Sequence, residues 1–399
     1  MIPDPAWRTK PWGVIADDLT GATDTAAAFA RAGFRAMVIL DRARARGLDA
    51  QVLILSSHSR QCPPALARRR VQAACRWLRR RGAAVIYKKM DSTLHGNIAA
   101  EVAAIRDAAG FATALVCPAN PVQGRCIRQG RLTVHGTDRG ALVERLALAS
   151  RAQPSRQVAS AGPEQFAWVF LPFSQSKVKS ALGERRFVLA DATTEEHLKK
   201  LVQAALGLRR GVLLAGSAGM AWALASQLGR RTSIRRLASR APPSPHRPAE
   251  RSRPFLIFSG STNTITQQQI ERLARRSNAL VTSLTARTAR LAGRALAGNR
   301  TVVVRIPIRA TPPGEVLKKL RQLSPLLQEH RPGGLAVVGG DTARLLCRWL
   351  RPRGLAIRGE ILPGLAWGHW VGGLADGMLA CTKPGGFGSR DALLQLIQS

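Results

Sequence analysis

Short apolar runs alternate with Ala- and Leu-rich stretches along most of the chain, and this rhythm restricts the fold more than any other feature. Residues 13–16, 36–40, 52–56, 83–88 and 114–117 have the length and character of strands. Between them, the stretches near 22–32, 64–80 and 97–109 read as helices. Strand-helix units repeated at this spacing pair as parallel strands with helices on both faces. Gly33 and Gly82 stand where two of these helices should stop. Periodicity is poor from 137 to 185, apart from an apolar run at 166–171, and the rhythm returns at 187–190, 195–206 and 212–215.

Residues 239–254 hold five prolines. Proline at that density removes backbone donors and excludes helix, so the stretch reads as a linker. Beyond it the alternation resumes, with strands at 255–258, 280–283, 301–305, 334–338 and 357–360 and helices near 264–275, 315–328 and 341–350. A chain of 399 residues is also too long for one ordinary core. The expected fold class is α/β: an N-terminal domain over 1–238, a linker over 239–254 and a C-terminal domain over 255–399. The two α/β domains, with mainly parallel sheets, are expected to face each other across a cleft.

The net charge of +37, from 61 Lys+Arg and 24 Asp+Glu, would attract nucleic acid, anionic membranes or anionic metabolites. The arginines, however, are dispersed over the polar positions of helical stretches. There is one Tyr and no aromatic-interleaved basic stripe, so no specific nucleic-acid partner is expected. Six cysteines show no Cys-x-x-Cys pair and no zinc-like spacing, which fits free thiols in a reducing compartment. The start of the chain lacks a leader pattern, and no apolar run approaches 18 residues. A cytoplasmic, soluble protein without a membrane partner is expected, with its oligomeric state open.

Acids are scarce, which makes their placement informative. Asp17-Asp18 ends the first apolar run and leads through Leu19-Thr20-Gly21 into a helix, and open α/β sheets bind ligands at the carboxyl ends of their strands. Taken alone, the pair also suits a capped, solvated turn. A second cluster, Ser57-His58-Ser59-Arg60, follows residues 52–56, and its arginine could hold a carboxylate bidentately. The third runs Lys88-Lys89-Met90-Asp91-Ser92-Thr93-Leu94-His95-Gly96-Asn97. A polar loop with an Asp or Ser cap explains Asp91 or Ser92 but not the lysine pair. Together the clusters suit a small polyhydroxylated acid, with cations for its carboxylate and Asp side chains for its hydroxyls.

The C-terminal domain carries Ser259-Gly260-Ser261-Thr262, Gly339-Gly340-Asp341-Thr342 and Lys383-Pro384-Gly385-Gly386-Phe387-Gly388. Glycines let backbone N–H groups approach phosphate oxygens, helix starts add a favourable dipole, and Lys383 adds a point charge. Each motif alone is a common turn; three in one domain point to a nucleotide. The Walker pattern and the spaced dinucleotide fingerprint are both absent.

These motifs, with Pro118-Ala119-x-Pro121-x-x-Gly124-Arg125, Gly216-Ser217-Ala218-Gly219 and Pro363-Gly364 in the same order, resemble the four-carbon acid sugar kinase family from about residue 12 to the end. The resemblance implies an N-terminal acid-sugar domain, a C-terminal domain binding ATP with Mg2+, and phosphorylation of a terminal hydroxyl of 3-oxo-tetronate, threonate or erythronate. Carried over by motif, Asp17, Asp18, Arg60, Lys88, Lys89, Asp91, Ser92 and Thr93 would bind substrate, with Asp18 or Asp91 accepting the hydroxyl proton. Ser259, Gly260, Ser261, Gly339, Gly340, Asp341, Thr342, Lys383, Gly385, Gly386 and Gly388 would bind the nucleotide. The chain departs from the family pattern at His95, where arginine is usual, at Ser56-Ser57, where Asp-Thr is usual, and across 137–160. Two other readings stay open on the residues alone: a relative that binds a metabolite or nucleotide without turnover, and a polyanion-binding protein.

Overall fold

The computed structural model describes residues 10–142, 144, 166–169, 175–184, 187–208, 211–231, 253–308 and 310–399. Residues 239–252 of the proline-rich stretch and most of 143–165 lie outside the described residues. The elements alternate from the start: β1 (Trp12–Ala16), α1 (Leu19–Arg31), β2 (Ala36–Ile39), β3 (Val52–Ser56), α2 (Pro64–Arg80), β4 (Ala84–Lys89), α3 (Ile98–Ala109) and β5 (Thr113–Cys117). Three short strands follow, β6 (Arg125–Arg128), β7 (Arg131–Val134) and β8 (Thr137–Ala141). Then come β9 (Phe166–Val169), α4 (Gln175–Glu184), β10 (Phe187–Ala190), α5 (Glu195–Leu206), β11 (Val212–Gly216) and α6 (Ala218–Arg231).

The rest of the chain adds β12 (Phe255–Ser259), α7 (Thr264–Ser277), β13 (Leu280–Ser283), α8 (Thr288–Ala297), β14 (Val302–Arg305), α9 (Pro313–Arg321) and α10 (Ser324–Glu329). It closes with β15 (Gly334–Val338), α11 (Gly340–Leu350), β16 (Gly354–Leu362), β17 (Leu365–Val371), β18 (Leu379–Lys383) and α12 (Ala392–Gln398). The architecture is that of two α/β domains with mainly parallel sheets. The single helix expected over 315–328 is two, α9 and α10, because the chain breaks after Gln322 and Pro325 opens the next helix.

The chain divides into two compact units, Met1–Ala36 with Asp49–Ser239, and Met37–Leu48 with Arg240–Ser399. Reading the N-terminal half as uninterrupted did not anticipate that residues 37–48 belong with the second unit. In the first unit, parallel strands lie in the order β3-β1-β4-β11-β5-β10-β9. β1, β3 and β5 are buried along their whole length, which is why they read as continuous apolar runs rather than alternating ones. Trp12 packs on Phe29 and Phe34 at centroid distances of 6.5 and 5.2 Å on the α1 side, while Gly13 abuts Leu78 of α2. Thus α1 covers one face of β1, and α2, packed on α3, covers the other. Gly33 and Gly82 follow α1 and α2 with φ of 92° and 70°, the left-handed geometry that stops a helix.

In the second unit the strand order is β13-β14-β12-β15-β18-β17-β16-β2, parallel from β13 to β18 and antiparallel from β18 to β16. One core face joins Phe255, Ile257, Val303 and Ala336 of the strands to Ile270 and Leu273 of α7 and Leu393 and Leu396 of α12. On the other side Phe258 meets Trp349 of α11 edge-on.

Candidate active site

In the first unit β1 lies between β3 and β4, and its helix leaves on the opposite face from those after its neighbours. This reversal opens a crevice at the carboxyl ends of the strands, where α/β sheets bind ligands. Asp17, Asp18, Arg60, Lys89 and Asp91 all sit there. Asp18 is the N-cap of α1, its Oδ1 accepting from the Gly21 N–H at 2.7 Å, an interaction typically worth ~1 kcal/mol. Asp17, 2% exposed, is gripped by Arg60, whose Nε and Nη2 donate to its two oxygens at 2.8 and 3.0 Å. The same guanidinium lies 2.8 Å from Asp18 and 3.5 Å from Asp91. The arginine expected to hold a ligand carboxylate therefore holds the protein's own.

The lysine pair separates by strand alternation. Lys88 turns toward α3, where it is fully buried 2.6 Å from Glu101. Lys89 turns toward α1, donates to the Met90 carbonyl at 2.8 Å, and lies against Gly21. Lys88, expected among the ligand contacts, is sealed from solvent by burial, and its charge reaches the site through Asp17. In the loop after β4 the Asp91 Oδ1 accepts from the Thr93 N–H at 2.8 Å and from the Thr93 hydroxyl, and it lies 3.2 Å from His95 Nδ1. Gly96, at φ 103°, lets this loop close on Arg60, whose Cγ is 3.1 Å from the place a Cβ would take. The Asn97 side chain donates to the Ser59 and Cys62 carbonyls, fixing the loop against the one after β3. Ser92 lies half-buried in the same loop.

The carboxyls differ in proton affinity. Burial pushes the Asp17 carboxyl up, but Arg60, Lys88 and Lys89 outweigh it and hold it below its ordinary range. Burial, then the charge of Asp17, raises the Asp18 carboxyl. At Asp91 burial again acts upward, yet Arg60 and the Thr93 hydrogen bonds hold the group well below the usual range. Arg125, at the start of β6, adds its charge to Asp91 and donates from Nη1 to Gln123 Oε1 at 2.7 Å.

In the second unit the expected nucleotide residues gather at the ends of β12, β15 and β18. The Gly260 N–H donates to Thr342 Oγ1 at 2.9 Å and the Gly339 N–H to the Lys383 carbonyl at 2.8 Å, so the three loops are tied together. Gly339 takes φ 98° just before α11, and Gly388 takes φ 84°. A Cβ on Gly260 would fall 1.9 Å from Ile308 Cδ1, and one on Gly385 would fall 2.5 Å from Ser261 Oγ. Ser259 Oγ is buried without a hydrogen-bond partner among the described residues. The Lys383 ammonium donates to the Pro384 and Gly385 carbonyls at 2.8 and 3.3 Å, and burial pushes it down to about 8. Backbone brought close by glycines, an unsatisfied hydroxyl and a cation held by neutral carbonyls fit phosphate oxygens. Gly386 lies in the same loop, while Asp341 pairs with Arg344 at 2.6 Å on the surface of α11.

Motif reading missed two residues of α7, which support the glycine loop. Thr266 donates its hydroxyl to the Gly385 carbonyl, and Gln269 Nε2 donates to the Phe387, Gly388 and Ser389 carbonyls at 3.0, 3.2 and 2.7 Å. Their signal was a polar pair on the same helix face as Ile270 and Leu273. Asp24 and Glu101 were missed too, since an acid within a helix ordinarily reads as solvated.

Comparison with known proteins matches both units. A family profile described as a sugar-binding N-terminal domain covers residues 12–224, and one described as a nucleotide-binding C-terminal domain covers 256–393. A D-threonate kinase of Bordetella bronchiseptica is 30% identical, over 97% of this chain and 96% of its own. A 3-oxo-tetronate kinase of Pseudomonas fluorescens is also 30% identical, over 95% and 94%. The crystal structure of a Haemophilus influenzae protein of the DUF1537 family shares the fold, with a TM-score of 0.69 at 20% identity over 96% of this chain and 98% of its own. Among the described residues no helix is long and apolar enough to cross a membrane. With both profiles and full-length kinase relatives matched, the chain is a kinase and belongs to the four-carbon acid sugar kinase family.

Proposed function

We propose that this kinase transfers the terminal phosphoryl group of ATP to a terminal hydroxyl of a four-carbon sugar acid of the threonate, erythronate or 3-oxo-tetronate class. The observation that carries this reading is the contrast between Asp18 and Asp91, two carboxyls that share Arg60 and are pushed in opposite directions. Groups whose environments separate them in this way divide acid-base roles. Asp18, with the higher proton affinity, accepts the hydroxyl proton. Asp91 stays ionised and, with Ser92 and Thr93, receives hydroxyl hydrogens. Arg60 keeps both carboxyls in place, and Lys89 supplies charge for the acid. The substrate class follows the names of the relatives.

Nucleotide binding falls to Ser259, Gly260, Ser261, Gly339, Gly340, Asp341, Thr342, Lys383, Gly385, Gly386 and Gly388, whose close glycine backbone, Ser259 hydroxyl and Lys383 ammonium suit phosphate. When bound, ATP with Mg2+ supplies the phosphoryl group and neutralises charge developing on its oxygens. Mg2+ bound through phosphates needs only one or two protein carboxylates, and the described residues hold no cluster of three or more metal ligands.

The test is ADP release with Mg-ATP and each of threonate, erythronate and their 3-oxo forms, on wild type, Asp18→Asn and Asp91→Asn. At least one acid is expected to turn over. Asp18→Asn should lower kcat by about 10²–10⁴ with little change in KM, whereas Asp91→Asn should raise KM. ATP binding with no turnover on any of these acids would favour a non-catalytic relative. Tight DNA binding that collapses with salt would favour a polyanion-binding protein.

A further inference from the structure

Asp24 is an acid that the phosphorylation chemistry leaves unused. It lies in α1, 8% exposed, and its Oδ1 accepts no hydrogen bond among the described residues. Leaving a buried carboxylate oxygen unsatisfied is costly. One helical turn earlier, Gly21 lacks a Cβ, and the position it would fill lies 3.0 Å from Lys89 Nζ and 2.7 Å from Asp18 Oδ1. The ammonium therefore rests on the face of α1 that carries Asp24, and its charge acts on both Asp18 and Asp24.

The charge balance makes this arrangement consequential. Lys88 is matched by Glu101. The remaining acids, Asp17, Asp18, Asp24 and Asp91, face Arg60 from the loop after β3, Lys89 from the end of β4, and Arg125 acting on Asp91 from β6. α6, which packs on α1, brings no acid or base between Ala218 and Gly229. With these four acids ionised against three cations the site carries one unbalanced negative charge, and a sugar acid adds another.

We propose that Asp24 is a positioning residue that takes up a proton when the acid substrate binds. As Lys89 engages the incoming carboxylate, the Asp24 carboxylate loses its share of that ammonium and is neutralised by one proton from solvent. The proton forms the carboxyl O–H and returns to solvent on release. Burial pushes the Asp24 carboxyl up to about 6, with the charge of Asp18 acting upward and Lys89 and Arg60 acting downward. Diverting the Lys89 charge raises it further. The inference rests on the sugar-acid reading of the site.

Calorimetric titration of D-threonate into wild type, in buffers of different ionisation enthalpy between pH 6 and 8, measures the uptake directly. The expected result is net uptake of up to one proton per ligand, with Kd rising up to tenfold per pH unit above about 6. Asp24→Asn, which mimics the protonated group, should bind without uptake and with the same Kd at pH 6 and 8. His95→Gln should keep the uptake, separating Asp24 from the imidazole beside Asp91. Equal uptake in wild type and Asp24→Asn, or none in wild type, overturns the inference while leaving the kinase reading intact. Absence of uptake in wild type overturns the inference even if Asp24→Asn fails to fold, and Asp24→Ser then replaces it as the variant expected to lose the uptake. If neither D-threonate nor any other four-carbon acid binds at any pH, the kinase reading fails and this inference fails with it.

Discussion

Arg60 holds Asp17 through two parallel bonds of 2.8 and 3.0 Å, a fork that fixes the guanidinium before any ligand arrives. Removing it leaves a carboxylate that is 2% exposed without its chief counter-charge. Arg60→Ala is expected to cost roughly 3–5 kcal/mol of folding stability, read by urea denaturation. The sign of the pH dependence follows. Asp17 lies below its ordinary 3.8 in the folded protein, so its contribution is present above about pH 4 and lost as pH falls through the folded value. Arg60→Ala should flatten that acid limb.

Lys88 and Glu101 form a pair with exposures of 0% and 1%. Lys88→Met should destabilise the fold by about 3–5 kcal/mol by stranding Glu101. The double variant Lys88→Met/Glu101→Leu should regain most of that loss. Equal denaturation midpoints for the single and double variants would contradict this account.

Gly260 marks the closest approach in the nucleotide loops, with Ile308 Cδ1 1.9 Å from the position of an added Cβ. Gly260→Ala should cost about 1–3 kcal/mol through overpacking, and it should weaken ATP binding by displacing the loop. Because the obstacle is the end of a side chain, adding Ile308→Ala should restore binding, measured by nucleotide titration.

Lys383 offers a pH signature for the nucleotide. Burial places it at about 8, below its ordinary 10.5, so its charge is complete below pH 8 and lost above it. ATP affinity should fall as pH rises through that value, and Lys383→Met should bind more weakly with no such step. For stability the sign is opposite: the cost of burying the charge is present below pH 8 and relieved as pH rises toward 10.5.

The strands that carry the site were legible because they are buried on both faces. Residues 13–16 and 52–55 are unbroken apolar runs, and the polar clusters begin where the strands end. The strands β6, β7 and β8 escaped notice because residues such as Arg128, Arg131 and Asp138 are exposed, which hides the alternation of a half-buried strand. The sequence could not reveal that Lys88 and Lys89 serve different partners. That follows from their alternation across β4, and Glu101 and Asp24 acquire their roles only when α3 and α1 cover opposite faces of the sheet.

Residues 37–48 bear on how the chain is made. Arg44 donates to the Arg351 carbonyl across 307 residues of sequence, and β2 borders β16 in the same unit. At ribosomal rates of 5–20 residues per second, the early strand emerges about 15–60 s before its partner exists. The second unit therefore completes its sheet with a strand made long before the rest of that unit, and a fragment beginning at residue 253 would lack β2.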